Sequence, residues 1–408
     1  MDELRKYKLG ELCKLSSSKR IFESEYVKNG IPFIRGQEIS DKSILDDNAK
    51  FECYISEARY NELKEKYGVP QKGDILMTAV GTIGNLVVLN SDRPFYFKDG
   101  NVIRFSDFAE IVDSTYLSFF MKSPYFNKQI EYALIGAVQK ALTMVMLTNI
   151  EIPLSDIIEQ KRIAKVLSTI DRKITINREI NRNLEELAKQ IYDYWFVQFD
   201  FPNEAGKPYK TSGGKMVYNE TLKREIPAGW EVKLLKDIIE IKRGITITEK
   251  QTTSGTIKVV AAGVTYSYLH GESNRIPNCI TVSGSGANAG FVNFWREPIF
   301  ASDCSTIQFD NDIDTILCYY TLKKQEKRFY QISHKSAQPH ILPSDIGEIP
   351  MVIPSNSIKE RITQFFIKTN KQIAENTKEL EHLSSLRDSL LPLLMNGQVT
   401  LNSCLSAD

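Results

Sequence analysis

The chain has 408 residues, of which 42% are apolar and 25% charged, and its net charge is +1. That length leaves room for two or three domains, because single cores stop growing near about 250–300 residues. No run of about 18 apolar residues occurs, which excludes a membrane-spanning helix, and so small a net charge excludes a strongly basic nucleic-acid binder, although a local basic face would still serve.

The opening "MDELRKYKLGEL" has no charged-then-apolar signal segment, so the expected location is cytoplasmic. The six cysteines (Cys13, Cys53, Cys279, Cys304, Cys318, Cys404) are scattered without a C-x-x-C pair, which points to reduced thiols and away from zinc. In chain order, "YKLGELCKLSSSKR" (7–20) reads as a short amphipathic element entering a basic, small-residue turn. "GDILMTAVGTIGNLVVL" (73–89) reads as strand, Gly-rich turn and strand, followed by the strand "FKDGNVIRF" (97–105). A helical segment, "STYLSFFMKSPYFNKQIEYAL" (114–134), and then "GAVQKALTMVML" complete this part.

After Pro153, Asp156 and Glu159 have the spacing of an N-cap and its N3 partner. From there Ile163, Leu167, Ile170, Ile174, Asn177, Asn181, Leu184, Ala188, Ile191 and Trp195 alternate by four and three, an a/d seam that ends before Pro202. Val166, Ile180 and Leu187 widen the seam into a face. A helix of about 40 residues is roughly 55–60 Å long. Residues 201–229, "FPNEAGKPYKTSGGKMVYNETLKREIPAG", are rich in Gly, Pro and Lys and read as a linker.

The chain then repeats itself. "WEVKLLKDIIEIKRG" (230–244), "NCITVSGSGANAGFVNF" (278–294), "FASDCSTIQF" (300–309), "DTILCYYTLKKQEKRFYQIS" (314–333) and "KSAQPHILPSDI" match the earlier segments in order. Ser357 and Glu360 read as a second capping box, and the seam Ile362, Phe366, Thr369, Ile373, Asn376, Leu380, Leu383, Arg387, Leu390, Leu394 follows. Each seam position lies 199 residues after its counterpart (362 − 163), whereas the caps differ by 201 (357 − 156). The offset predicts two extra residues in the first helical turn. Gln139 and Gln338 are also 199 apart (338 − 139). A polar residue at the same seam position of both helices sets register. If the helices pair antiparallel, Asn177 and Asn376 should meet near the middle.

The expected fold is therefore α+β: two globular mixed α/β domains separated by two long helices that form an antiparallel coiled coil, in a pseudo-twofold tandem repeat. The boundaries are 1–154 for the first domain, 155–200 for the first helix and 201–229 for the linker. They continue with 230–354 for the second domain, 355–398 for the second helix and 399–408 for the tail.

No catalytic pattern is present. G-x-x-x-x-G-K-[ST] is missing, and "SGSGANAG" (283–290) fails the last position of a dinucleotide loop and lacks a βαβ frame. His270, His334, His340 and His382 make no metal spacing, and no Ser sits in G-x-S-x-G. No metal site is expected. A nuclease would need a carboxylate cluster, whereas the acidic residues fall on helix faces and in linkers.

Four stretches carry a resemblance: "NIEIPLSDIIEQKRIAKVLSTIDRKI" (149–174), "AKQIYDYWFVQFDFPNEAGKPYKTSGGKM" (188–216), "REIPAGWEVKLLKDI" (224–238) and "GTIG" (81–84). The chain resembles the specificity subunit of type I restriction–modification systems over essentially its whole layout. The resemblance implies two target-recognition domains, each reading one half of a split DNA sequence in double-stranded DNA. It also implies a helix pair that sets the spacer and docks two modification (methyltransferase) subunits, with restriction motor subunits as further partners. S-adenosylmethionine, ATP and Mg would then belong to the partners, and this chain would hold no cofactor and catalyse nothing. The second turn departs from the first, with "GSGANAG" in place of "GTIG". The alternative is an assembly scaffold whose globules bind protein.

Base edges are read by Arg, Lys, Asn and Gln, and phosphates by cations, hydroxyls and Gly-rich backbone. On that chemistry the candidates in the first domain are Lys19, Arg20, Arg35, Gln37, Thr82, Asn85, Lys98, Asn101, Gln139 and Lys140. In the second domain they are Lys242, Arg243, Thr246, Ser285, Asn288, Ser305, Lys335, Gln338 and His340. Asp99 and Asp303 read as turn caps. Trp230 reads as a core anchor, and Trp195 should pack between helix and linker. Tyr192, Tyr194 and Phe196 extend that aromatic cluster or contact a modification subunit.

Overall fold

The computed structural model describes residues 4–46, 49–134, 141–333 and 339–401. The chain forms two units: Met1–Thr175 with Glu381–Asp408, and Ile176–Leu380. Each unit holds one mixed α/β domain together with a stretch of both long helices, Ile157–Tyr192 and Asn356–Met395.

In the first unit a strand pair closes the domain at its base, Arg5–Lys8 antiparallel to Glu151–Leu154. Above it lies an antiparallel sheet in the order Lys14–Ser16, Val102–Ser106, Ile75–Thr78, Leu86–Val88. A second sheet runs Tyr26–Val27, Tyr54–Ile55, Ile31–Ile34, Tyr96–Phe97, the last two strands being parallel. Strand Ile75–Thr78, central in its sheet, is buried at every residue.

The second unit is built the same way. Glu231–Leu234 pairs with Pro350–Ile353, and the main sheet runs Lys242–Arg243, Cys304–Ile307, Cys279–Ser283, Val292–Trp295. Its smaller sheet runs Tyr268–His270, Ile257–Val260, Ile299–Ala301, again with one parallel pair. The duplication in the sequence is thus a duplication of strand order.

Each helical segment predicted as continuous is split in two. The first is Ser114–Phe120 and Pro124–Leu134: Asp113 caps the first piece by accepting from Tyr116 N at 2.8 Å, and Pro124 opens the second. Its counterpart is Asp312–Lys323, capped by Asn311, followed by Glu326–Ser333.

The long helices run antiparallel, and within each unit partner numbers fall as first-helix numbers rise. In the first unit Ile163, Ala164 and Leu167 share a core with Leu391, Leu394 and Met395, and Arg387 Nη1 lies 3.1 Å from Asp171 Oδ1. Burial disfavours the Arg387 charge, but hydrogen bonds to Asp388 and Asp171 outweigh it and raise its pKa. In the second unit Asn177 Nδ2 donates to Glu379 Oε2 at 2.8 Å, and Asn376 Nδ2 to Asn181 Oδ1 at 2.9 Å. Ala188 and Tyr192 pack in one core with Ile362 and Phe366. Ile163, Leu167, Ile174, Asn177, Ile362, Phe366, Ile373 and Asn376 are buried, while Ile170, Leu184, Ile191, Leu380, Leu383 and Leu390 are half-buried.

Several expectations need correction. Asn177 and Asn376 do not face each other; each bonds a residue about one helical turn along, because carboxylate, amide and hydroxyl partners are available there. Ile180 and Leu187 do not extend the seam and stay 40% and 43% exposed. Ser357 is not the second cap: the helix begins at Asn356 after Ser355, whose carbonyl accepts from Lys359 N. Asp156 caps the first helix as expected, accepting from Glu159 N at 3.0 Å, whereas the Glu159 carboxylate takes Leu401 N. The helix starts therefore also differ by 199 (355 − 156), and the expected two-residue excess vanishes.

Finally, residues 201–229 are not a bare connector. They form a hairpin, Met216–Asn219 with Arg224–Pro227, and Phe201 and Ile226 enter the core of the second unit. Trp230 stacks on Phe201 with ring centroids 5.0 Å apart, and Trp195 lies 6.4 Å from Phe201.

Candidate nucleic-acid interface

The Gly-rich turn of the first domain is tied down by one buried side chain. Thr78 ends strand Ile75–Thr78 with no exposure, and its hydroxyl donates to the Thr82 carbonyl. The same oxygen accepts from Asn85 N at 3.1 Å, while Thr78 N donates to Asn85 O at 2.9 Å. Gly81 and Gly84 have φ of +79° and +89°, a conformation that favours glycine, so the chain can reverse here. Neighbouring segments brace the turn: Ala79 N donates to Asn101 O and Leu142 N to Ala79 O.

On this platform Thr82 and Asn85 are exposed and meet Ser40 at the end of the short helix Gly36–Ser40. Ser40 Oγ lies 2.9 Å from Thr82 Oγ1 and 3.0 Å from Asn85 Nδ2. Gln37 is exposed on the same short helix. Lys19 and Arg20 are also exposed: the Lys19 amide donates to Tyr96 Oη at 2.8 Å, and Arg20 Nε donates to Asp99 Oδ2 at 3.2 Å. Lys98 and Asn101 are half-buried beside them.

Arg35 is placed differently. Its Nη2 donates to Glu38 and to Glu52, each at 2.8 Å, and these bonds raise its already high pKa. So engaged, the guanidinium ties the loop to Glu38 and Glu52. Gln139 and Lys140 lie outside the described residues.

The second domain presents a different turn on the same frame. Ser283, in the place of Thr78, donates its hydroxyl to Ala262 O at 2.7 Å instead of into the turn. The turn is held by Gly286 N donating to Pro339 O at 3.1 Å and by Ile341 N donating to Gly284 O at 3.0 Å. His340 is exposed and bridges to Ser285, whose hydroxyl donates to Asp303. Asn288 and Thr246 are exposed, as are Lys242 and Arg243 on the edge strand. Lys335 and Gln338 lie outside the described residues.

Two corrections follow. Ser305 is 2% exposed in strand Cys304–Ile307, which is buried at every residue on both faces, so its side chain does not reach the surface. Asp99 and Asp303 hold the side chains of Arg20 and Ser285, and among the described residues neither carboxylate accepts from a backbone N–H as a turn cap would. Sequence reading missed Ser40, which lies 42 residues before Thr82 and has no local signal. Among the described residues, no group of three or more His, Cys, Asp or Glu is placed to hold a metal, and no helix is long and apolar enough to cross a membrane.

One mixed α/β frame written twice, with unlike polar turns exposed on each copy and long helices that run antiparallel within each unit, defines a tandem-repeat α/β protein with an antiparallel helix pair. The family model "Type I restriction modification DNA specificity domain" matches residues 1–186 and 227–384, and the chain belongs to that family. It is 24% identical to the type I restriction enzyme MjaIX specificity subunit of Methanocaldococcus jannaschii, over 92% of this chain and 88% of that protein. To the HindI specificity subunit of Haemophilus influenzae it is 22% identical, over 98% and 100% of the two chains. The crystal structure of the type I restriction–modification system S subunit from M. genitalium shares the fold, with a TM-score of 0.64, 17% identity and 97% of each chain covered.

Proposed function

We propose that this chain is the DNA-specificity subunit of a type I restriction–modification complex, with each domain reading one half of a bipartite target. The observation that carries this reading is the repeated strand order bearing two turns of different chemistry. A shared frame supplies a shared way of approaching the duplex, and unlike side chains supply unlike preferences. Two heads of one protein then address two groove segments, and the paired helices set the number of unread base pairs between them.

The chain itself acts without catalysis. Adenine methylation and ATP-driven cleavage, with S-adenosylmethionine, ATP and Mg, belong to two methyltransferase subunits docked on the helix pair and to motor subunits that join them in the cytoplasm. With a net charge of +1, the isolated chain binds DNA weakly, and the partners add phosphate contacts.

The test is to sequence methylated adenines in DNA from cells with and without this gene. A split motif that disappears on deletion supports the reading. Exchanging residues 231–350 for another reader should change one half of the motif and leave the other. Methylation that stays independent of DNA sequence while the methyltransferase still binds would instead favour a scaffold.

A further inference from the structure

Hydrogen bonds at Ser40 fix what Asn85 and Thr82 can offer a ligand. A hydroxyl has one proton and two lone pairs. Ser40 Oγ donates its proton to Gly36 O at 2.8 Å, so both lone pairs are left to accept. Asn85 Nδ2 fills one at 3.0 Å, and Thr82 Oγ1 fills the other at 2.9 Å with its own proton. Thr82 is thereby turned outward as an acceptor only. Asn85 keeps one free N–H and its carbonyl oxygen, and among the described residues Oδ1 takes no partner. Flipping the amide would set Oδ1 against the lone pair of Ser40 and lose a hydrogen bond. The backbone cannot shift to compensate, because buried Thr78 holds both the N–H and the C=O of Asn85.

One donor beside one acceptor is the complement of a single base edge in the major groove. Adenine presents the N7 acceptor next to the N6 donor, whereas guanine presents two acceptors, N7 and O6. Guanine would need two N–H groups from the amide, and one of them is committed to Ser40. We propose that Asn85 reads an adenine in the half-site addressed by the first domain, with Ser40 as the positioning residue that excludes guanine. This inference rests on the DNA-reading function proposed above. It applies to the first domain alone, since Ser283 of the second turn sends its hydroxyl to Ala262 O and leaves Asn288 unbraced by that device.

The experiment uses the full chain co-expressed with its methyltransferase subunits, the methylated genome being the readout. Asn85→Ala should cut the preference for one adenine of one half-site by about 10- to 100-fold and leave the other half-site intact. Ser40→Ala frees the second N–H, so that same position should accept adenine or guanine, and Ser40→Thr should restore adenine. Loss of fold is separated by a measurement on the unmutated complex. Replacing each adenine of the first half-site in turn by 7-deazaadenine, which lacks the N7 acceptor, should weaken binding about 10-fold at one position only. A wild-type split motif that Asn85→Ala leaves unchanged at every position overturns the inference, as does a first half-site without an A·T pair. A wild type with no split motif would remove the functional reading itself, which distinguishes the two failures.

Discussion

Replacing Trp230 by Ala tests whether residues 201–229 belong to the second unit's core. Trp230 is 7% exposed, stacks on Phe201 at 5.0 Å, and meets Phe199 edge-on at 5.7 Å and Phe196 at 5.6 Å. Truncating a large buried aromatic costs about 3–5 kcal/mol, a figure that includes such ring contacts. With a urea dependence of about 3 kcal/mol per M for a unit of this size, the unfolding midpoint should fall by roughly 1–1.7 M. The assay is built in, because all three tryptophans, Trp195, Trp230 and Trp295, lie in the second unit, and the remaining two still report its unfolding. Tyr218→Ala, on the hairpin that precedes Trp230 but 56% exposed, should shift the midpoint by less than about 0.2 M. A Trp230→Ala shift below about 0.3 M would show that the hairpin is only a tether.

Asn376→Leu leaves the Asn181 carbonyl oxygen and the Gln372 amide without their partner and should cost about 1–2 kcal/mol. Adding Asn181→Leu should return the urea midpoint to wild type or above, since an apolar pair replaces a polar one; additive losses would refute the coupling. Burial pushes the thiols of Cys13, Cys279 and Cys304 up from 9.0 to about 12. The folded state therefore keeps protons that the unfolded chain loses, so stability is full below about pH 9 and declines as pH rises toward 12. These thiols should also resist a disulfide reagent at pH 8 until urea is added, and rapid native labelling would contradict their placement. Lys19→Ala and Arg20→Ala should each lower the slope of log affinity against log salt by about 1 in gel-shift titrations of the assembled complex, with the preferred bases unchanged. An unchanged slope would place both residues off the phosphates.

The tandem repeat, the two long helices and their shared seam were legible in the sequence, because a 3.5-residue apolar period reports which face of a helix is buried. The Gly-rich turns and many exposed polar residues were legible too, since turn chemistry is local. Periodicity carries no information about which polar atoms meet across a helix pair, so only the tertiary structure placed Asn376 against Asn181 instead of Asn177. Composition likewise marked residues 201–229 as a connector, while the aromatic core that captures Phe201 and Trp230 is assembled from distant segments. Ser40 is the sharpest case: its role comes from a fold that brings it to Thr82 and Asn85 across more than forty positions, and nothing beside it in the chain announces that.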